Sequence, residues 1–224
     1  MAMAQKSLGR SHRDVKKKKK KKRHSGGLAP DRYLTKDQLA RLKGFLSTQL
    51  VRATSLFAER RAATNLMIVD LLANSGLRSA DLINLQMRDL PHCHGKMVID
   101  VREGKRLVQR SVEVSTAFAL RLAGFIKKYR KSAKPNSFLF LNEENKPLGY
   151  RSLYSKIVLM GKAAGVGHVT PHKLRHTYGT LFYSRNKDLL MLMDQLGHSK
   201  PETTAIYART ANEERRRLVE DFDV

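Results

Sequence analysis

The sequence predicts a mainly α fold carrying a small three-stranded antiparallel sheet, an α+β arrangement, on three observations. Apolar residues recur at spacings of three and four in segment after segment, the period of a helix with one buried face. Two short segments rich in β-branched residues flank a polar loop that contains a glycine. The length, 224 residues, suits one well-packed domain and leaves too little chain for two large ones.

In chain order, the first segment is not a packed element at all. Between Lys6 and Arg23 lysine and arginine dominate, and Lys16, Lys17, Lys18, Lys19, Lys20, Lys21 and Lys22 form an unbroken run. Like charges at that density repel and offer no apolar face to bury, so residues 1–29 are expected to be a disordered basic arm. Such an arm serves either as a solvated tail or localisation signal, or as a strand of cations laid on DNA phosphates. The folded domain is expected over residues 30–224.

Leu39, Leu42, Leu46 and Leu50 make one face of a first helix, and Thr35 with Gln38 has capping-box spacing at its start. A second helix is predicted over residues 61–74, with Gly76 where a helix commonly ends, and a short third one from Ser79. Met97–Val101 and Leu107–Val114 read as a hairpin around residues 102–106, and Phe138–Leu141 as the third strand. Helices are expected again over residues 116–130 and 150–164. Thr170 and Pro171 form an N-cap and first-turn pair, which puts His172 and Arg175 on one face of the helix they open. His176, one residue further, is read as a structural histidine on another helix direction. A helix over residues 188–196 stops at Gly197, and Tyr207 rides on the helix that follows or stands at its end.

Composition narrows the partners. A formal charge of +24 favours a polyanion, nucleic acid before membrane. Nothing approaches the roughly 18 apolar residues of a membrane span, and the basic N-terminal stretch lacks the apolar core of a secretory signal. The single cysteine, Cys93, suits a reducing compartment. A cytoplasmic, nucleoid-associated protein is expected.

The chemistry concentrates between residues 170 and 207, where two imidazoles, a guanidinium and a phenol stand close in sequence. The run His172-Lys173-Leu174-Arg175-His176, the triplet Leu196-Gly197-His198 and Tyr207 nine residues beyond His198 resemble the C-terminal signature of the tyrosine recombinases, also called the phage integrase family. Upstream, Ser75-Gly76-Leu77-Arg78-Ser79-Ala80-Asp81 looks like that family's first-arginine motif, and Gly104-Lys105, with Arg110 five residues on, lies where the family keeps a catalytic lysine. The resemblance covers about residues 30–207.

What the resemblance implies fits the chemistry of phosphodiester attack. Charge builds on the non-bridging oxygens, and Arg78 and Arg175 are implied as the two cationic clamps, since a guanidinium meets two oxygens at once and keeps its charge. Tyr207 is implied as the nucleophile, forming a 3′-phosphotyrosine that stores the bond energy for religation. Lys105 is implied as the acid that protonates the departing 5′ oxygen, His172 as the group that accepts the tyrosine proton or helps balance it, and His198 as a donor to the phosphate. Asp81 is implied as a supporting carboxylate. No metal, ATP or other cofactor is called for. The implied partner is double-stranded DNA, held by a homo-oligomer, a dimer on one site and a tetramer in synapsis, with the residues after Tyr207 packing on a neighbour or folding back on their own domain. Arg151 and Lys156 are further expected DNA contacts.

Members of that family carry a separate helical domain of roughly 100 residues that closes on the DNA from the far side, and only about 30 residues precede the first predicted helix here. The expectation is that the lysine arm partly replaces that clamp. Two other activities remain open on the sequence: a type IB topoisomerase-like relaxing enzyme, and a non-catalytic DNA-binding accessory protein of the same fold.

Overall fold

The computed structural model describes residues 26–91, 97–103 and 107–220. Eight helices and a two-stranded hairpin follow one another within them: α1 Lys36–Val51, α2 Leu56–Ser75, α3 Ser79–Asn84, β1 Val98–Glu103, β2 Leu107–Glu113, α4 Thr116–Tyr129, α5 Tyr150–Ala163, α6 Pro171–Asn186, α7 Leu189–Leu196 and α8 Pro201–Glu220.

Local chemistry fixes most boundaries. Thr35 accepts from the Gln38 N–H at 3.2 Å while Gln38 Oε1 accepts from the Thr35 N–H at 3.0 Å, which closes both arms of the predicted capping box on α1. α2 begins five residues before the predicted start because Ser55, not a residue near Arg61, caps it, accepting from the Ala58 N–H. It ends at Gly76, whose φ of 60° is the left-handed conformation glycine adopts without penalty. Ser115, Thr170 and Asp188 cap α4, α6 and α7 through their side chains.

The predicted third strand is not one. Among the described residues the sheet has two strands, β1 and β2, antiparallel, with a register irregularity between Val101 and Arg102. Phe138 and Leu141 make only single bridges, to Gln86 and Pro147. A short continuous apolar run is enough to suggest a strand, but here the partners are loop residues that diverge after one pair.

α1, α2, α4, α5 and the hairpin enclose the main core, which includes Leu42, Ile68, Leu71, Leu72, Ile99, Val112, Phe118, Leu122 and Ile157. A second apolar cluster lies apart from it, formed by Leu28 and Tyr33 from the N-terminal segment, Tyr178 of α6, Leu192 and Leu196 of α7, and Tyr207 of α8. Residues 27–29, assigned on composition to the arm, therefore belong with the folded unit. Gly27 N–H donates to Glu213 at 2.8 Å and Leu28 N–H to Thr210 Oγ1 at 2.7 Å, both on α8, because an apolar leucine beside α8 has surface to bury even though its neighbours in sequence do not. The lysine run 16–22 and Cys93 lie outside the described residues. None of the described helices is long and apolar enough to cross a membrane.

α8 runs unbroken from Pro201 to Glu220, so Tyr207 and the residues after it share one helix that packs on its own domain. Tyr33 Oη donates to Glu214 at 2.6 Å and Arg209 Nε to the Gly26 carbonyl at 3.3 Å. Of the two expectations for the C-terminal segment, the described residues fold back.

Candidate active site

The site is built around the turn Leu196-Gly197-His198 that ends α7. Four elements deliver side chains to it or beside it: α6, the start of α3 together with β2, and α8. α6 brings Arg175, which is 5 % exposed and commits two nitrogens: Nη1 donates to the Gly76 carbonyl at 2.6 Å, and Nη2 to the Leu196 carbonyl at 2.8 Å. Nη2 also lies 3.0 Å from His198 Nε2. A guanidinium can only donate, so Nε2 is the acceptor there and the imidazole proton sits on Nδ1, 2.9 Å from Thr204 Oγ1 on α8. Burial pulls Arg175 down to about 10, with Arg78 beside it as the next cause, and leaves it cationic at neutral pH. His198 falls to about 4, first through burial and then through Arg175, Arg78 and Arg110.

The second contributor is the N-terminus of α3. Arg78 occupies the cap position, its backbone N–H donating to Asp81 Oδ2 at 3.0 Å, and its exposed side chain returns to the turn, Nη2 donating to the Gly197 carbonyl at 2.9 Å. β2 adds Arg110, whose Nη2 donates to the same Asp81 oxygen at 2.7 Å. Gly197 is required twice over at this point. Its φ is 62°, and a Cβ there would stand 2.7 Å from Arg110 Cδ.

Tyr207 is the third. Its ring is 2 % exposed, lying against Gly179 so closely that a Cβ on that residue would be 2.6 Å from Cε1 and Cζ. Its hydroxyl is 3.1 Å from His176 Nδ1. Burial raises the phenol to about 12, opposed by Arg175, and lowers His176 to about 3, with His172, Arg32, Arg175 and His198 adding to the effect. His176 is therefore neutral, and in its Nε2–H tautomer it accepts from the phenol at Nδ1. Burial thus pushes the two proton affinities in opposite directions, each against transfer, so the resting contact is a hydrogen bond and not an ionised pair.

His172 does not meet Tyr207 in this arrangement. It sits edge-on to His176 with ring centroids 4.1 Å apart, and has its pKa lowered by the partial burial of its imidazole and then by Arg175 and Arg32. The histidine beside the phenol is His176, which sequence reasoning set aside as structural. The signal was present: positions 172 and 176 are one helical turn apart, i and i+4, and so share the face that carries Arg175 at i+3. Arg110 was noted only for its spacing from Lys105, and Thr204 and Gly179 were not singled out; Arg110 and Gly179 matter through residues distant along the chain, and Thr204 through His198 six positions before it.

Arg78, Asp81, Arg175 and His198 thus converge on one turn, with Tyr207 on the flanking helix. Lys105 lies outside the described residues, as do Lys16–Lys22. Arg151 is exposed on the first turn of α5, and Lys156 lines a groove with Phe57, Arg60 and Arg61 of α2. Among the described residues no three His, Cys, Asp or Glu side chains gather as a metal site.

Comparison with known proteins bears on the same residues. A model described as the phage integrase family matches residues 32–214. The tyrosine recombinase XerS of Lactococcus lactis is 30 % identical over 175 residues, 76 % of this chain and 48 % of that protein. XerA of Pyrococcus horikoshii is 31 % identical over 159 residues, 69 % of this chain and 53 % of its own length. The chain spans about half the length of these curated relatives. Among solved structures, the XerA recombinase superposes with a TM-score of 0.68 at 26 % identity, covering 86 % of this chain and 65 % of that one. XerH bound to its palindromic difH substrate, in a post-cleavage complex, gives 0.68 at 21 % identity over 84 % of this chain and 52 % of that one. The catalytic domain of bacteriophage HP1 integrase gives 0.53 at 19 %, over 84 % and 93 %.

Proposed function

The chain belongs to the phage integrase family, and from that premise and the geometry around the Leu196–His198 turn we propose that it is a site-specific DNA recombinase or integrase that cuts and rejoins strands through a 3′-phosphotyrosine on Tyr207. The observation that carries the reading is the joint placement of Arg175, Arg78 and His198 on one turn with the Tyr207 hydroxyl hydrogen-bonded on the helix beside it. Two fixed guanidinium cations and a neutral imidazole next to a phenol suit charge developing on a phosphate.

In the forward step the Tyr207 oxygen bonds to phosphorus and the phosphorus bond to the 5′ oxygen breaks. The phenolic proton passes to His176, and Lys105 protonates the leaving oxygen. Arg175 has both hydrogens of Nη2 engaged, which leaves Nε and the second hydrogen of Nη1 for a non-bridging oxygen. Arg78 supplies the other clamp, steadied by Asp81. An arriving phosphate lowers the barrier in two ways: its charge favours protonated His176, and it draws the phenol out of the apolar surroundings that hold its pKa up. The phosphotyrosine conserves the bond energy, so the exchange as proposed consumes no ATP and draws on no metal.

Double-stranded DNA is the proposed substrate, and XerH, a protein of the same fold, was solved on its difH DNA. Lys16–Lys22, Arg151 and Lys156 are proposed as phosphate contacts outside the reacting centre. The basic arm, shortened to the residues before Gly27, is proposed to act with a catalytic domain that runs from Gly27 to residue 224, as a dimer on one site and a tetramer in synapsis.

The test uses the full chain and a library of random-sequence duplexes nicked so that the cleaved fragment diffuses away. Covalent adducts on a denaturing gel, absent from Tyr207→Phe and enriched in one sequence, support the reading. Adducts on no duplex overturn it, and relaxation of plasmids without sequence preference assigns topoisomerase activity instead.

A further inference from the structure

Arg78 is held by two anchors, and one other side chain touches both. Its backbone N–H is fixed on Asp81 Oδ2 and its Nη2 on the Gly197 carbonyl. Arg110, 29 residues beyond Asp81 in sequence, donates from Nη2 to that same Asp81 oxygen at 2.7 Å. Along its stem, Arg110 lies flat on Gly197, where a Cβ would meet Cδ at 2.7 Å, Nε at 2.9 Å and Nη1 at 3.0 Å. The guanidinium is thus wedged between the carboxylate that fixes the backbone of Arg78 and the glycine whose carbonyl fixes its side chain.

Burial separates this arginine from Arg78, as it does Arg175. The Arg110 side chain is 10 % exposed and its Nε is buried with no acceptor among the described residues. Arg78, by contrast, is exposed, free to meet a phosphate oxygen from solvent. Leaving a buried guanidinium nitrogen unpaired costs free energy, so the position is poorly explained by stability alone. A lysine could neutralise Asp81 but has no planar face to lay against Gly197.

We propose that Arg110 is the positioning residue that aims the Arg78 clamp, bracing Asp81 on one side and the Gly197 turn on the other. It does not touch the phosphate. The inference rests on the proposed transfer at Tyr207, where Arg78 acts, and its consequence is for rate, because an Arg78 displaced by about 1 Å loses on the order of 100-fold in reaction while binding DNA as before.

Full-length Arg110→Ala and Arg110→Lys are compared with the native chain for melting temperature, DNA affinity by filter binding, and single-turnover covalent capture of duplexes recovered by the native protein. Arg110→Ala is expected to retain affinity and lose about 100-fold in capture rate, and Arg110→Lys to recover part of it by keeping the charge on Asp81. Normal capture by Arg110→Ala, no rescue by lysine, or an affinity loss matching the rate loss each overturns the proposal. Should Arg110→Ala not fold, the lysine variant decides alone: reduced rate at native affinity supports the brace, and full rate overturns it. A native chain that captures no DNA defeats the transfer itself, and the brace is then read by NMR of the Arg78 guanidinium. Its Nη signals are expected to average on loss of Arg110, and unchanged signals overturn the inference.

Discussion

The Tyr207 hydroxyl and His176 Nδ1 stand 3.1 Å apart, with the phenol nearly sealed from solvent and the imidazole held neutral. The proposed nucleophile and its proposed base are in contact, yet burial has pushed their proton affinities in opposite directions. The resting site is assembled and unprimed.

The contact predicts which histidine controls the attack. His176→Ala should slow covalent capture about 100-fold or more, since it removes the proton acceptor, while His172→Ala, acting through His176, should cost less. Single-turnover capture of nicked DNA measures both, and a larger loss in the His172 variant would sink the assignment.

Acid should loosen the same region. His176 and His198 are lowered to about 3 and about 4 from an ordinary value near 6.5. Below 6.5 the unfolded chain binds protons that the folded chain refuses, so stability falls as pH drops from 6.5 toward 4, by an amount on the order of a few kcal/mol. Urea midpoints across that range should decline, and His176→Gln should flatten the decline. At the alkaline end Tyr207, raised to about 12, contributes stability that is complete below pH 10 and lost as pH climbs toward 12.

Gly179 should tolerate no side chain. A Cβ would lie 2.6 Å from two carbons of the Tyr207 ring, so Gly179→Ala should either cost about 1–3 kcal/mol by overpacking or expel the phenol. Denaturant unfolding reads the first and tyrosine absorbance at alkaline pH the second. Native values in both would contradict the packing described.

The segment from Gly26 to Tyr33 holds α8 in place. Leu28, 4 % exposed, fills the cluster that contains Tyr207, and three backbone and side-chain bonds tie its neighbours to Thr210, Glu213 and Glu214. Leu28→Ala should cost about 2 kcal/mol or more and expose Tyr207 to nitration by tetranitromethane, located by peptide mapping. Protection equal to the native chain would show that α8 is held without this strap.

Helix positions were largely legible in the chain because their causes are local. Thr35 with Gln38, Gly76, Thr170 with Pro171 and Gly197 act within a turn of where they stand. Errors arose where the cause was remote. Phe138–Leu141 has the short apolar run of a buried strand but only loop residues opposite it. Leu28 sits next to a charge run yet packs against a helix more than 170 residues away.

By itself the sequence determined the chemical cast: two arginines, histidines at helical spacing and a phenol at fixed intervals, with a net positive charge suited to a polyanion. Tertiary structure alone decided which of them touch. It turned His176 toward Tyr207, set Arg110 between Asp81 and Gly197, and buried the phenol within a cluster drawn from both ends of the described chain. The reason is that residue type and spacing are properties of the local backbone, whereas burial, and with it every shifted proton affinity here, is set by which distant surfaces pack together.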